Sequence, residues 1–541
     1  MGKYILKLDI IQTNKDTAMD IVRYHRRMRR FFRKRPPEEE DTMAEVKIKS
    51  GWISGVEGDG YYGFMGIPYA APPVGELRWK HPQPAESWEG VRRCVEPGRP
   101  CCQAPSTVVP GGDPDNRGVI DNGQEDCLYI NVFTPDLKKE KLPVFFWIHG
   151  GAYCCGSGGG HNLNFGPFVK KGIVYVSFNY RVGIMGFFAH PELSAENPHH
   201  VSGNYGHYDQ LAALRWVKEN IAAFGGDPDN ITIGGSSAGA GSSQILCNSP
   251  LAEGLMQKAI IISSLNIAPA NYSEKDKLVY MKDMEDRGVE YMHLLGCESL
   301  ADLRKLSYEQ LIDHPLAAFR RKYHYGTSIG TNIDGYLITT FHKDGNVEGT
   351  NADIPYICGC TNDEGGEHIL RMGKDRYIQK ASEVFKDKTD EYLAIANIVD
   401  DASAGQAARD THLKFAGTKV FAEHSAQLGK KPVYVYDFKR KNPDLGYANH
   451  GATTKYMFGS HTSFQNASPD DDIVAETLQG YWTNFIRTGD PNGEGLPEWK
   501  PYTRDERYVC YIDTETKVLK DEEAENPVLR FTREYLEGLV M

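Results

Sequence analysis

The sequence predicts an α/β protein with a largely parallel central sheet flanked by helices. Three observations carry that expectation. Apolar runs of strand length alternate with helix-like segments from Val46 onward, the order that wraps helices around a parallel sheet. The runs are apolar almost without interruption, which suits strands covered on both faces. No repeat or linker-like stretch divides residues 42–541, so a single domain is expected there.

In chain order, residues 1–41 stand apart. The run RYHRRMRRFFRKR, from Arg23 to Arg35, holds seven Arg and one Lys, and PPEEED follows it. Pro36-Pro37 ends any helix begun earlier. This reads as a basic N-terminal tail, disordered or helical; a basic amphipathic helix on a membrane or nucleic-acid surface is the other reading. A strand-like pattern, VKIKSGWISGV, begins just after Met43. PVFFWIHGG (143–151), IVYVSFNY (173–180), ITIGG (231–235), AIIISS (259–264), IPYICGC (354–360) and PVYVYDF (432–438) read as short buried strands. GHYDQLAALRWVKENIAAFGG (206–226) reads as an amphipathic helix ended by glycines. Residues 267–353 carry a weaker strand signal and more polar segments, and are read as an insertion over one edge of the sheet. Residues 508–512 and 517–519 predict a hairpin.

Composition excludes several classes of function. Forty percent apolar residues, 11% of all residues being aromatic, are enough for a sizeable core, and the chain is not disordered as a whole. Seventy-three acidic residues against 61 basic ones give a net charge of −12, so the body is not expected to bind nucleic acid. No apolar run approaches the ~20 residues of a membrane span, and no stable membrane insertion is expected. Lys3, Lys7 and Asp9 interrupt the N-terminal apolar stretch that an export signal needs. Eleven cysteines, an odd number with two adjacent pairs, suit reduced thiols better than a disulfide framework. The expected location is cytoplasmic. No CxxC pattern suggests a metal, Cys358 and Cys360 read as buried strand thiols, and no cofactor is expected.

Chemistry enters at Gly235-Ser236-Ser237-Ala238-Gly239, the one G-x-S-x-G of the chain. ITIGG before it is a strand and AGAGSSQIL after it opens a helix. That strand–turn–helix elbow lifts a serine hydroxyl clear of a sheet. The bland alternative is a Gly/Ser-rich loop that caps a helix. A second feature argues against it: His149-Gly150-Gly151-Ala152 follows the strand VFFWI. Small residues there let backbone N–H groups approach an oxyanion. No G-K-S/T follows the glycine-rich stretch 150–160, which argues against a phosphate loop.

With these motifs, FMGIPYAAPPVGELRWKHPQP, EDCLYINVFTP, FNYRVGIMGFF and YWTNFIRTGDPNGEGLPEWKPYT give a resemblance that spans roughly residues 46–505. The chain resembles the type-B carboxylesterases, the cholinesterase-like family of α/β-hydrolases, and within it the bacterial para-nitrobenzyl-esterase branch. The resemblance implies an α/β-hydrolase fold with large insertions forming an active-site gorge. It implies a serine hydrolase that cleaves small-molecule carboxylic esters through an acyl-enzyme, acting as a monomer or homodimer. It assigns Ser237 as nucleophile, Glu364 in Asn362-Asp363-Glu364-Gly365 as the acid, and His450 as the base, in the chain order of α/β-hydrolases. Oxyanion donors are then the amides of Gly151, Ala152 and Ala238. Arg78 with Glu125, and Arg181 with Asp209, match the family's internal ion pairs. Cys127 sits where secreted relatives form a disulfide, with Cys101 or Cys102 as the partner here; Cys297 lacks the partner of the family's second disulfide.

The chain also departs from the pattern. Relatives usually carry Glu before the nucleophile and another three residues after the catalytic histidine; here those positions are Ser236 and Thr453. The family places both acids behind the imidazole, so less negative charge is expected there. No Trp lies between Cys102 and Cys127, so the family's cation-binding aromatic is absent and choline esters are not the expected substrates. Two other readings stay open: a non-catalytic adhesion-type relative, and an enzyme with the same triad acting on thioesters, lactones or activated amides.

Overall fold

The computed structural model describes residues 43–103, 123–160, 164–263, 279–312, 330–340, 345–346, 348–364, 373–521 and 526–539. The basic tail read at residues 1–41, and residues 104–122 of the stretch between Cys102 and Cys127, lie outside them. The strands are β1 (Ala44–Ile48), β2 (Gly51–Gly58), β3 (Tyr61–Pro68), β4 (Val91–Arg93), β5 (Tyr129–Thr134), β6 (Leu142–Ile148), β7 (Val174–Phe178), β8 (Gly226–Ser236), β9 (Lys258–Ile262), β10 (Val279–Tyr280), β11 (Asn332–Ile333), β12 (Tyr356–Thr361), β13 (Val433–Phe438), β14 (Tyr508–Ile512) and β15 (Lys517–Lys520). The main sheet runs β1-β2-β3-β5-β7-β6-β8-β9-β12-β13-β14-β15, with β4 beside β2. From β7 to β14 every pairing is parallel; towards both ends the pairings along this order are antiparallel, and β4 lies parallel to β2. This is an α/β-hydrolase fold.

The six apolar runs read from the sequence become six adjacent strands, β7-β6-β8-β9-β12-β13. Their uninterrupted apolar character has a direct cause. Along β6, Val144, Phe146 and Ile148 enter one buried apolar cluster, and Phe145 and Trp147 enter another. Successive side chains of a strand point to opposite faces, so a strand covered on both sides needs an apolar residue at every position. One face is covered by helix α1 (Tyr205–Asn220), through Leu214 and Val217, and by α2 (Ala238–Asn248), through Ile245. The other is covered by helix α5 (Pro469–Thr488), through Leu478, Trp482 and Phe485. Each such large side chain contributes about 1.5–3 kcal/mol when fully buried. The hairpin read near the C-terminus is β14–β15.

Two ion pairs tie distant segments together as the family resemblance implied. Arg181 meets Asp209 through two hydrogen bonds of 2.8 and 2.7 Å, with both side chains essentially out of solvent. Arg78 forks onto Glu125 and also donates to the carbonyls of Arg304 and Leu306. None of the eleven cysteines is in a disulfide; Cys101, Cys102 and Cys127 are buried thiols. Among the described residues no helix is long and apolar enough to cross a membrane.

The insertion read at 267–353 joins β9 to β12, neighbours in the sheet interior, and is described at 279–312, 330–340, 345–346 and 348–353. Those parts pack on the segments that follow β7: an added Cβ on Gly288 would meet the Ala189 carbonyl, and Asn332 exchanges hydrogen bonds with Asn204. The insertion's short strands β10 and β11 form a separate two-stranded sheet.

Candidate active site

Strand β8 ends at Ser236 and helix α2 begins at Ala238, leaving Ser237 in the turn between them. Ser237 has φ 58° and ψ −123°, a conformation that costs a non-glycine residue about 1–3 kcal/mol. The surroundings hold it there. Its N–H donates to the Ile262 carbonyl at 3.0 Å, and its carbonyl accepts from Gly241. The flanking glycines are required by space: a Cβ on Gly235 would lie 2.3 Å from the Gly239 carbonyl carbon, and one on Gly239 2.1 Å from the Ile148 oxygen.

The second contact of this turn is the loop after β6. A Cβ on Gly150 would lie 2.7 Å from the Ser236 oxygen and 3.4 Å from the Ser237 Cβ, so the loop backs directly onto the serine turn. Gly151, Ala152 and Tyr153 all have positive φ (121°, 52° and 60°). The Gly151 carbonyl accepts from the amides of Cys154 and Cys155, at 3.0 and 3.1 Å, and from both of their thiols. Gln103 holds the far side of the loop with two hydrogen bonds to Gly156. The amides of Gly151, Ala152 and Ala238 make no hydrogen bond among the described residues.

Glu364 follows the end of β12. Its Oε1 accepts from the Thr361 N–H at 3.0 Å and the Thr361 hydroxyl at 2.9 Å. Its Oε2 accepts from Lys414 Nζ at 2.7 Å and forms a short contact with His450 Nδ1. Burial opposes ionisation of Glu364, but the Lys414 ammonium and His450 outweigh it and hold the carboxyl well below the usual carboxylate range. His450 lies between β13 and helix α4 (Ala452–Met457) and is partly open to solvent. No hydrogen bond joins His450 and Ser237 in this structure, a separation that commonly closes only around bound substrate.

Ser236 and Thr453 are both buried, Ser236 at the end of β8 and Thr453 in the first turn of α4 beside Tyr436 of β13. Neither hydrogen-bonds to His450 among the described residues. Two polar neighbours of this cluster escaped the sequence reading. Lys414 and His412 sit at the start of helix α3 (Leu413–Gln427), where His412 Nδ1 caps the Phe415 N–H and Nε2 donates to the Thr361 carbonyl at 2.8 Å. Nothing in His412-Leu413-Lys414 resembles a motif, and only the fold brings it to Glu364. No cluster of His, Cys, Asp and Glu that could hold a metal occurs among the described residues.

The model of the carboxylesterase family matches residues 42–531. Para-nitrobenzyl esterase of Bacillus subtilis (strain 168) is 32% identical over 499 residues, covering 89% of this chain and 97% of that one. Liver carboxylesterase of Sus scrofa is 32% identical over 512 residues (85% and 87% covered). Fumonisin B1 esterase of Sphingopyxis macrogoltabida is 34% identical over 477 residues (84% of each). Among solved structures, a PNB esterase superposes with a TM-score of 0.76 at 28% identity, covering 92% of this chain and 100% of its own.

Proposed function

Because this chain belongs to the carboxylesterase family and is a carboxylic ester hydrolase, we propose that it works through Ser237, His450 and Glu364 by way of an acyl-enzyme. The observation that carries this reading is the strained Ser237 turn seated against the Gly150–Ala152 loop. Ser237 Oγ attacks the ester carbonyl while His450 Nε2 takes its proton. Nδ1–H of His450 points at Glu364, which leaves Nε2 of the neutral ring as the acceptor. The amides of Gly151, Ala152 and Ala238 receive the charge that develops on the carbonyl oxygen, each worth about 10²–10³ in rate if it follows the usual cost of losing such a donor. The imidazolium then protonates the leaving alcohol, and water, activated by the same imidazole, releases the acid.

The test is a pre-steady-state burst of p-nitrophenol from a p-nitrophenyl ester. One equivalent per chain is expected from the native protein and none from Ser237→Ala. A full burst from the variant refutes the assignment. On the same footing, residues 42–541 form one catalytic domain to which the 1–41 tail is an appendage. The protein is cytoplasmic, its thiols are reduced, it binds no nucleic acid, and it acts as a monomer or homodimer. Its substrates are small-molecule esters; the acyl and alcohol preference is set in the long connections around the site.

A further inference from the structure

We propose that Lys414 is a positioning residue of the triad, one that holds the Glu364 carboxylate and sets a positive charge beside its contact with His450. This rests on the Ser237–His450–Glu364 reading above. Lys414 and His450 share one oxygen: Lys414 Nζ lies 2.7 Å from Glu364 Oε2 and 3.4 Å from His450 Nδ1, and that nitrogen also contacts Oε2. A triad in which the acid meets only the histidine is neutral once the imidazolium forms. Here the same step leaves a net positive charge on three side chains in mutual contact.

The placement is built into the fold. His412, in a left-handed conformation (φ 34°), caps helix α3 through Nδ1 and anchors its start to the Thr361 carbonyl through Nε2. Thr361 in turn grips the other oxygen of Glu364. Lys414 therefore issues from a turn locked to the same residue that positions the acid. Among the described residues, the other charged and titratable groups near the site have partners or surroundings of their own. Lys419 on α3 pairs with Asp521 at 2.7 Å, and Asp437 on β13 pairs with Lys439 at 3.1 Å. Asp363 precedes the acid in a buried turn, and the thiol of Cys360 on β12 is pushed up by burial. Tyr436 on β13 is likewise pushed up by burial, and Ser236 on β8 and Thr453 on α4 carry no charge. Among these, Lys414 alone presents its charge to the Glu364–His450 contact.

An acid limb of kcat/KM reports protonation of the free enzyme's base, and an adjacent ammonium disfavours a second cation. Removing it should move the limb upward. The experiment is a pH profile of kcat/KM on p-nitrophenyl acetate for the native protein, Lys414→Met, Lys414→Gln and Lys414→Arg, with thermal unfolding of each. Lys414→Met and Lys414→Gln are expected to raise the acid limb by about one pH unit, a roughly tenfold greater loss of kcat/KM at pH well below the native limb. Lys414→Arg keeps the charge and is expected to retain the native limb. If Lys414→Met does not fold, Lys414→Gln, one atom shorter but uncharged and still polar, gives the same reading. An unmoved or lowered limb in a folded, uncharged variant overturns the proposal, and so does an equal upward shift in Lys414→Arg. Active-site labelling with a fluorophosphonate separates the two claims. A static limb with Ser237 labelled defeats the role of Lys414 alone, whereas a label elsewhere defeats the triad itself.

Discussion

Consider Gly239→Ala, two residues after the serine. The added Cβ would stand 2.1 Å from the Ile148 carbonyl oxygen and 2.9 Å from that of His149, against ordinary contact at 3.4–4 Å. The obstacle is backbone on both counts, so no side-chain rotation relieves it. Relief requires the end of β6 or the start of α2 to move by more than 1 Å, since 3.4 Å less 2.1 Å must be recovered. Those two segments carry the Gly151 and Ala152 amides on one side and the Ala238 amide and Ser237 on the other. A displacement of about 1 Å between reacting groups costs on the order of 10²-fold in rate, and a misplaced oxyanion donor costs about the same. Overpacking alone destabilises by about 1–3 kcal/mol. Gly239→Ala is therefore expected to lower kcat by about 100-fold on a small ester while KM changes little, with a folded protein of modestly lower Tm. Steady-state kinetics and thermal unfolding together read both numbers. A folded variant within threefold of native kcat would refute the argument that this glycine sets the spacing between the serine turn and the oxyanion loop.

Three other outcomes follow from the same structure. Ser236→Glu and Thr453→Glu, singly and together, should raise the acid limb of kcat/KM, because a buried carboxylate near an imidazole favours its charged form; a pH profile with no upward shift and activity intact would show that neither position couples to His450. Asp471 caps helix α5 and accepts from Arg440, Tyr456 and Ser468; although burial opposes its ionisation, these partners hold its carboxyl below the usual range. Its contribution is thus present above the unfolded value of about 3.9 and fades as pH falls through the lower folded value, so Asp471→Asn should cost about 2–3 kcal/mol in urea unfolding at pH 7 and progressively less in strong acid. A chain beginning at Met43 should keep native kcat/KM on a soluble ester, and a tenfold loss would place the basic tail in the working enzyme.

The parts of this fold that could be read from the sequence are those with an unambiguous physical signal. The interior strands were legible because burial on both faces demands apolar residues at every position, as along β6. Strands β3 and β5 were not. Gly63, Gly66 and Pro68 interrupt β3, which shifts register between Phe64 and Ile67, and β5 buries Asn131 in its middle. The serine turn was legible because tight backbone approach leaves glycines at fixed offsets. Glu364 and His450 carry no such local mark, since a carboxylate and an imidazole become partners only when β12 and the loop after β13 lie side by side. Only the family resemblance pointed to them, and the structure brings them into contact. Lys414 had no local mark either. Its role depends on where α3 starts, a property of packing between elements far apart in sequence.

The most direct test of the central claim is peptide mapping after a fluorophosphonate reagent. One adduct per chain is expected, on Ser237, with a rate that falls by at least about 10³-fold in Glu364→Gln and His450→Ala, in line with the cost of removing members of such a triad. An adduct on Ser236 or on another serine, or labelling of Ser237 at native speed in both variants, contradicts the account.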